Sequence, residues 1–284
     1  MKEFRGKVAV VTGATSVIGL ALSEKFASVG MKVVLADVEE KSLVKAAKMI
    51  GKKGAVTLAV LTDVSRAEDV DDLAEKTVSS FGGVHILCNN ASALKGGVSR
   101  EMPLDDYARQ LEVDIWGVIH GFRSFVPIMI AQNDEAHIVN TSLVSGILRT
   151  PNTAAYSASA HAVLAMSESL HHEFSLSGYK IRVSVLLPTT IVSNIDGSVR
   201  NRPKRCRSVH PTKSDVAVDS VKAGMAQTMK GGITPSMVAD QVLQAIRDER
   251  LYILTEGGDS NRWRKVLNMR LKETRELRKS LRIT

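Results

Sequence analysis

The sequence has only two cysteines in 284 residues, and neither stands at a spacing typical of metal or redox sites. Cys88 lies in an apolar run and Cys206 in a basic stretch, so both are expected to be reduced thiols. No apolar run reaches the roughly 18 residues that cross a bilayer, and residues 1–6 lack a signal-peptide pattern. These absences predict a cytoplasmic protein with no metal site and no membrane span.

Internal repeats and low-complexity linkers are also missing from the chain. Hydrophobic residues make up 44% of the sequence and charged residues 24%, and the mean hydropathy is close to zero. At this length, such a composition supports one sizeable hydrophobic core. We therefore expect residues 1–284 to form a single soluble domain.

Positive charge is concentrated at the carboxyl end. Residues 262–284 hold nine basic residues and two glutamates, a balance of +7 within a net charge of +8. Apolar residues recur near one helical face of this segment, which predicts a basic amphipathic helix. Such a helix could bind a membrane surface, a nucleic acid or a partner chain, but the favoured interpretation is a packed helix with a solvated basic face. Nothing else in the sequence indicates nucleic-acid binding.

Short runs rich in valine, isoleucine and leucine alternate with segments of helical length. Continuous apolar strands of this kind suit a parallel sheet covered on both faces. The pattern predicts a Rossmann-like, doubly wound α/β domain of about seven strands, with ligands at the carboxyl ends of the strands. The seven runs are KVAVVT, KVVLA, AVTLAVL, VHILC, HIVNT, IRVSVLL and LYIL.

The alternation lapses at residues 191–233, where several arginines and lysines occur. A long insertion at this point could be a substrate lid or simply a solvated loop.

The first strand runs into TGATSVIG at residues 12–19, followed by a helical segment. Glycines at a strand-to-helix turn let a pyrophosphate approach the backbone and the positive end of the helix. The next strand ends in Asp37, 24 residues beyond Gly13, where a carboxylate can accept hydrogen bonds from the adenosine ribose. That carboxylate would repel a 2′-phosphate, so the sequence predicts NAD as cofactor rather than NADP.

At this point the chain resembles the short-chain dehydrogenase/reductase family along nearly its whole length. TGATSVIG is similar to the family's TGxxxGxG turn, TDV at residues 62–64 to its adenine contact, and CNNAS to its NNAG segment. WGV, IVNTS, YSASA and LLP follow in family order and spacing. The resemblance implies nicotinamide-dependent oxidoreduction of an alcohol or ketone, and a homodimer or homotetramer.

The resemblance also implies which residues hold the cofactor, and three positions depart from the family pattern. Val17 replaces the middle glycine of the turn, Ser92 the glycine of NNAG, and Thr189 the glycine after the LLP segment. Each departure places side-chain bulk near the cofactor. The implied cofactor-binding residues are Gly13, Ser16, Ile18, Gly19, Asp37, Asp63, Val64, Asn90, Ala91, Tyr156 and Pro188.

The family's four catalytic positions are mostly changed in this chain. The tyrosine that passes the proton is Tyr156, but the lysine position is Ala160. The serine position is Leu143, with Ser142 beside it, and the asparagine position is Asp114. We take Tyr156, Asp114 and Ser142 as the candidate catalytic residues.

These changes should weaken Tyr156 as a base. A phenol of pKa near 10 is only about one part in a thousand ionised at pH 7, and an ionised Asp114 nearby would raise that pKa. A cation from elsewhere, such as Arg149, could replace the lysine. Ser142 could replace the serine only if the strand end shifts, because adjacent strand residues face opposite sides. Asp114 is either an isosteric helix residue or a new general acid or base beside Tyr156.

Three functions follow from this pattern. The first is a slow or compensated NAD-dependent oxidoreductase, which the family motifs favour. The second is a non-redox enzyme that uses Tyr156 and Asp114, and the third is a catalytically silent binding protein or subunit. The segments IVSNIDGS and LYILTEG resemble the branch of bacterial aryl-ether alcohol dehydrogenases, which would imply a bulky aromatic or polycyclic small-molecule substrate.

Overall fold

A computed structural model describes residues 1–94, 97–142, 152–188, 233–255 and 268 of the chain. Within these ranges all seven apolar runs form strands of one sheet, and each neighbouring pair is parallel. The predicted doubly wound α/β fold is therefore confirmed. The strands are β1 (Val8–Thr12), β2 (Lys32–Asp37), β3 (Thr57–Leu61), β4 (Ile86–Asn89), β5 (Ala136–Thr141), β6 (Ile181–Leu187) and β7 (Tyr252–Leu254).

The strand order is β3-β2-β1-β4-β5-β6-β7. From β1 the chain adds β2 and then β3 on one side. It then crosses back over the sheet and adds β4 to β7 in order on the other side of β1. In a sheet of this kind the ligand crevice lies at the carboxyl edge, at the point where the direction changes. The site is therefore expected above the ends of β1 and β4.

Helices cover both faces of the sheet. A π-helical turn, Glu112–Trp116, joins the fourth helix to the fifth, and a short 3-10 turn, Ser99–Glu101, precedes the fourth. The α-helices in the described residues are α1 (Val17–Ser28), α2 (Glu40–Gly51), α3 (Ala67–Phe81), α4 (Leu104–Leu111), α5 (Gly117–Gln132), α6 (Ala154–Ser177) and α7 (Pro235–Arg247).

Alternate residues of the central strand belong to two separate hydrophobic clusters. Ala9 and Val11 pack in the cluster that includes α1, α2 and α7. Val8 and Val10 pack in the cluster that includes α3, α5 and α6. Side chains of a strand alternate between faces, so a strand with every residue buried requires a layer on each side. This explains why the apolar runs are continuous in sequence.

The stretch Leu104–Gln132 is long and apolar enough to cross a membrane, judged by length and composition alone. In the fold it comprises α4, the π turn and α5, and it carries Phe125 and Met129 into the core beneath the sheet. That packing is the one expected of a core helix, so this stretch gives no sign of a membrane span.

Two predicted segments fall outside the described residues, as do Arg149 and Thr189. They are the lid, apart from Ile233, and the basic helix at residues 262–284, apart from Asn268. Both remain predictions.

Candidate active site

The glycine-rich turn connects β1 directly to α1. Gly13 has a φ of +61°, and a Cβ added there would lie 2.8 Å from Cα of Ala91. A Cβ at Gly19 would overlap the carbonyl oxygen of Gly13. Because both clashes are with backbone atoms, neither position tolerates a larger residue. The two glycines are thus required by the tight packing of the turn against its own backbone and against the segment after β4.

The start of α1 is intact despite the valine in the turn. Ser16 caps the helix, and its hydroxyl accepts a hydrogen bond from the N–H of Gly19 at 3.1 Å. Val17 is the first helical residue and is half-buried, as is Ile18. Their backbone N–H groups have no partner within the helix, because the first N–H groups of a helix never do. Those donors and the helix dipole remain suited to an anion.

Asn90 holds the turn in place from the neighbouring strand. Its side-chain amide donates to the carbonyl oxygens of Thr12 at 3.0 Å and Gly13 at 3.2 Å. The Thr12 hydroxyl in return accepts from the backbone N–H groups of Asn90 at 3.0 Å and Ala91 at 3.1 Å. Asn90 was predicted to contact the cofactor. In the structure its side chain braces the loop that would receive the cofactor.

Asp37 lies at the end of β2, beside the glycine-rich turn, and is only 8% exposed. Oδ2 of its carboxylate accepts from the backbone N–H of Thr15 at 2.9 Å and from the Thr15 hydroxyl at 2.8 Å. Oδ1 accepts from the N–H of Glu39 at 3.1 Å. A carboxylate has about four acceptor positions, so Asp37 can still receive a further hydrogen bond. Thr15 therefore fixes the carboxylate at the edge of the turn.

Asp63 and Val64 follow β3. The Asp63 carboxylate accepts from the Ser65 hydroxyl at 2.7 Å and forms an ion pair with Arg109 at 3.4 Å. Burial raises the pKa of Asp63, but the Ser65 hydrogen bond and the Arg109 charge outweigh it and leave the pKa below its usual value. Val64 is buried, and its carbonyl oxygen accepts from Nδ1 of His120 at 2.8 Å. The predicted adenine contact is thus tied to both α4 and α5.

Asp114 occupies the π-helical turn between α4 and α5, a distortion that recurs at functional sites. Its Oδ1 accepts from the N–H of Ala93 at 2.8 Å, and its Oδ2 accepts from the Ser159 hydroxyl at 2.7 Å. The side chain of Gln110 lies at 3.5 Å from Oδ2. Burial raises the pKa of Asp114 to about 6, although these hydrogen bonds oppose the rise. Asp114 is therefore a buried carboxyl group that titrates near neutrality.

Tyr156 lies in the first turn of α6 and is 7% exposed. Burial, and secondly the negative charge of Asp114, raise the pKa of its phenol above the usual value. Among the described residues, no group forms a hydrogen bond with the Tyr156 hydroxyl. The direction of this change matches the sequence-based expectation that Tyr156 is a weak base near pH 7.

Ser142 follows β5 and points toward α6. Its hydroxyl donates to the carbonyl oxygen of Ala160 at 2.7 Å, and both residues are buried. Both residues line a cavity of about 10 Å³, as do Asp114 and Ser159. The structure therefore brings Tyr156, Asp114 and Ser142 to one end of α6. The original serine position, Leu143, lies outside the described residues.

The sequence of residues 7–204 matches the family described as short chain dehydrogenase. The chain belongs to the short-chain dehydrogenase family. The resemblance inferred from the motifs is therefore confirmed. The strand order, the glycine-rich turn and the tyrosine on α6 agree with membership of this family.

Several known proteins resemble this short-chain dehydrogenase over most of its length. A short chain dehydrogenase/reductase from Burkholderia phymatum, solved in complex with NAD, is 41% identical with a TM-score of 0.86, covering 89% of this chain and 90% of that one. A CLA biosynthesis dehydrogenase/reductase from Lactiplantibacillus plantarum is 30% identical over 90% of each chain. A 1-deoxy-11-beta-hydroxypentalenate dehydrogenase from Streptomyces exfoliatus is 40% identical over 64% of this chain and 66% of that protein.

The residues that this short-chain dehydrogenase presents fit a dinucleotide. The strongest structural sign is the start of α1, where the backbone N–H groups of Val17 and Ile18 have no partner within the helix. The cofactor positions inferred from the sequence all follow the carboxyl ends of strands or the start of α6, as a ligand along this edge requires. They are Gly13, Ser16, Ile18 and Gly19 after β1, Asp37 at the end of β2, Asp63 and Val64 after β3, Asn90 and Ala91 after β4, Tyr156 on α6, and Pro188 after β6.

Three contributors to the site were missed in the sequence. Thr12 holds the glycine-rich turn, Thr15 holds the Asp37 carboxylate, and Ser159 holds Asp114. Thr15 stands inside the quoted turn, and Ser159 lies three residues after Tyr156, on the same helical face. Helical spacing could therefore have identified Ser159, but its bond to Asp114 depends on how α6 packs beside the π turn.

Proposed function

We propose that this short-chain dehydrogenase uses NAD to interconvert an alcohol and a ketone on a small-molecule substrate. The observation that carries the proposal is the position of the Asp37 carboxylate beside the glycine-rich turn. Thr15 and Glu39 hold it there, with acceptor positions left over for ribose hydroxyls. A 2′-phosphate at that place would face the carboxylate and be repelled, which favours NAD over NADP.

The cofactor would lie along the carboxyl edge of the sheet. Its pyrophosphate would meet the N–H groups at the start of α1, and its adenosine would meet Asp37 and the segment after β3. When bound, the nicotinamide supplies the hydride acceptor or donor. The NAD complex of the Burkholderia phymatum relative supports a nicotinamide cofactor in this fold.

Tyr156 is the proposed proton carrier, with Asp114 as a second titrating group and Ser142 close by. Because burial and Asp114 raise the pKa of Tyr156, the phenol is seldom ionised near neutrality. Hydride transfer depends largely on the position of the two reacting carbons, so some rate survives a poor proton carrier. We expect slow alcohol oxidation at pH 7 that accelerates toward alkaline pH.

We also propose an assembly and a substrate class, on the basis of the family resemblance. Leu104 at the start of α4 is 84% exposed, and Trp116 at the end of the π turn is 52% exposed. Apolar side chains so exposed support contact with a second copy of the chain. We propose a cytoplasmic homodimer or homotetramer. A bulky aromatic or polycyclic alcohol or ketone remains the proposed substrate.

The first test is calorimetric titration of the purified protein with NADH and, separately, NADPH. NADH should bind at least about tenfold more tightly, because only NADPH places a phosphate near Asp37. Replacement of Asp37 by asparagine should narrow the difference. Replacement of Glu40 by glutamine is the matched control, because Glu40 is exposed at the start of α2 and its loss should leave the preference unchanged. Absence of binding by either nucleotide would overturn the oxidoreductase proposal.

A second candidate is a silent member of the family that binds a dinucleotide without turning it over. The observation that favours it is the raised pKa of Tyr156 next to a carboxylate. The two functions separate cleanly at alkaline pH. If NADH binds but no alcohol or ketone in a broad screen changes nicotinamide absorbance between pH 7 and pH 10, the silent function is the correct one.

A further inference from the structure

The outer face of α2 carries a row of exposed lysines, which we call the lysine stripe. Their spacing places all of them within an arc of about 60° on the helix, because successive residues turn by about 100°. The stripe consists of Lys41, Lys45, Lys48 and Lys52. The buried residues of α2 lie on the opposite side of the helix and are Leu43, Ala46, Ala47 and Ile50.

Positive charges stand next to one another in the lysine stripe. Neighbours within it are three or four residues apart, a spacing at which like charges destabilise a helix. Glu40, the acidic residue of α2, lies outside their arc. Lys53 also lies outside the arc, and it pairs with Glu24 at 2.8 Å. The stripe therefore slightly destabilises α2 by itself, and an anionic partner would replace this repulsion with attraction.

Exposed apolar side chains lie beside the lysine stripe. Val44 and Met49 border it on its two sides by helical position, and both are exposed. β3 packs against α2 here, since the Thr57 hydroxyl donates to the Ala47 carbonyl oxygen. Leu61 shares a face of β3 with Thr57, because alternate strand residues do so, and it is also exposed. The surface around α2 thus combines positive charge with apolar side chains.

We propose that this face of α2 docks on the surface of an anionic phospholipid membrane. Lysine side chains can bury their alkyl stems and keep their ammonium groups among the lipid phosphates. The flanking valine, methionine and leucine side chains suit the boundary between head groups and acyl chains. Because the charges form one row along a helix, all of them can reach a flat surface at once. Each lysine near such a surface strengthens binding by about fivefold.

The composition of this face favours lipid over nucleic acid. All four cations are lysines, whereas arginine is the residue best suited to paired hydrogen bonds with phosphates and bases. α2 has no aromatic residue that could stack on a base. Exposed apolar side chains gain nothing from a phosphate backbone, but they gain from the acyl boundary of a membrane.

Docking through α2 would leave the reaction centre free. α2 packs against β2 and β3 at one edge of the sheet, whereas α6 packs against β5 and β6 in its other half. A protein held in this way could take a bulky apolar alcohol or ketone from the membrane. That consequence rests on the proposed function, but the docking does not and is measured without turnover.

The test is co-sedimentation of the purified protein with vesicles of equal parts phosphatidylcholine and phosphatidylglycerol. The wild-type protein should bind these vesicles but not vesicles of phosphatidylcholine alone, and added salt should release it by screening. K41Q/K45Q/K48Q/K52Q should weaken binding about a hundredfold or more, at about fivefold per lysine. K41R/K45R/K48R/K52R keeps the charge and should bind like the wild type. V44S/M49S should bind severalfold more weakly.

The matched control removes four exposed positive charges that lie outside α2. K2Q/K76Q/R123Q/K180Q has the same net charge as the glutamine variant of the stripe and should bind nearly as well as the wild type. Because the basic segment 262–284 could bind the same vesicles, the difference between these two variants assigns the binding to α2. Circular dichroism confirms that each variant is folded.

The proposal is wrong if the wild-type protein does not bind anionic vesicles, or if the two glutamine variants bind them equally. It is also wrong if the protein binds a double-stranded DNA oligonucleotide more tightly than the vesicles and the stripe variant loses that binding. The face would then be a nucleic-acid site. The NADH titration reports separately on the dinucleotide site, so failure of the proposed function is recognised independently.

Discussion

The Ser159 hydroxyl donates a 2.7 Å hydrogen bond to Oδ2 of Asp114, and this bond ties α6 to the π turn that separates α4 from α5. Both residues are almost fully buried. The bond stabilises the carboxylate, yet burial still raises the pKa of Asp114 to about 6. A single group in the centre of the site therefore changes charge close to physiological pH, and it does so on the side of α6 that carries Tyr156.

Replacement of Asp114 by asparagine should stabilise the protein above pH 6. The folded pKa of about 6 exceeds the unfolded value of 3.8, so the native state holds a proton that the unfolded state has lost across this window. Stability from that proton is present below pH 3.8 and disappears as pH rises through 6. At about 1.4 kcal/mol per pH unit, the asparagine variant should gain roughly 3 kcal/mol at pH 8 and nothing at pH 3.5.

Urea denaturation of both proteins at pH 3.5, 5, 6.5 and 8 measures this difference in the free energy of unfolding. D72N is the control, since its exposed carboxylate pairs with Lys76 one helical turn away and should change stability by less than about 0.5 kcal/mol. A gain that is the same at all four pH values would show that Asp114 does not titrate as described.

The double variant D114N/A160K should move the alkaline rise of alcohol oxidation to lower pH. It removes the negative charge that raises the pKa of Tyr156 and adds a positive charge one helical turn along α6. The midpoint of the rise should fall by about one pH unit or more. Initial rates of NADH formation between pH 6 and pH 10 report the shift, as a rise that begins at lower pH in the double variant than in the wild-type protein, whose own midpoint lies above this range.

Tyr156 must be shown to be the group that titrates. Addition of Y156F to the double variant should remove the pH-dependent rise while NADH binding persists. If the double variant and the wild-type protein share one profile, the proton carrier is a different group and the role proposed for Tyr156 is wrong.

The sequence predicted the sheet well because its signals are local. Each of the seven runs is rich in apolar residues, as strands of a sheet covered on both faces are, and each became a strand. Gly13 and Gly19 could also be identified from the sequence, since only glycine allows two backbone segments to approach each other so closely. Asp37 followed from its place at the end of the second strand.

Contacts between distant elements were harder to foresee. The sequence left Asp114 open between an isosteric residue and a new acid, because its burial depends on how the π turn packs against α6. Adjacent residues on a strand face opposite sides, but nothing in the sequence states that Ser142 turns toward Ala160. Asn90 was assigned to the cofactor from its motif, whereas its bonds to Thr12 and Gly13 appear only in three dimensions.

Replacement of Gly19 by alanine should abolish dinucleotide binding and destabilise the fold. The added Cβ would overlap the Gly13 carbonyl oxygen and approach Cα of Ala14 at 2.9 Å, so the turn or α1 must shift. We expect a loss of about 1–3 kcal/mol, the usual cost of overpacking a tight site. G51A is the matched control, because its Cβ would meet only the Thr57 hydroxyl at an ordinary 3.6 Å. Calorimetric NADH titration and thermal unfolding should give clearly different results for the two variants. Equal results would show that the turn is not tightly packed around Gly19.

His137 should make the protein sensitive to acid. Its ring is fully buried in β5, and Nε2 donates to the Ser184 hydroxyl at 2.7 Å, because that hydroxyl donates its own proton to the Arg250 carbonyl oxygen. Burial is the main reason that the pKa of His137 falls to about 3. Nδ1 has no hydrogen-bond partner among the described residues, so a second ring proton would have nowhere to go.

The direction of the effect follows from the two pKa values of His137. The unfolded state takes up a proton near pH 6.5, whereas the folded state does not until about pH 3. The stability that neutral His137 contributes is therefore fully present above pH 6.5. It falls by about 1.4 kcal/mol per pH unit as the pH decreases from 6.5 toward 3. H137L, which has no titrating ring, should differ from the wild-type protein by that slope in urea denaturation between pH 6 and pH 4, where Asp114 contributes a slope of opposite sign to both proteins. H172N changes an exposed histidine on α6 and should retain the slope. If H137L and the wild-type protein show identical slopes, the acid sensitivity comes from other groups. Removal of a buried neutral histidine must change the number of protons that are taken up on unfolding.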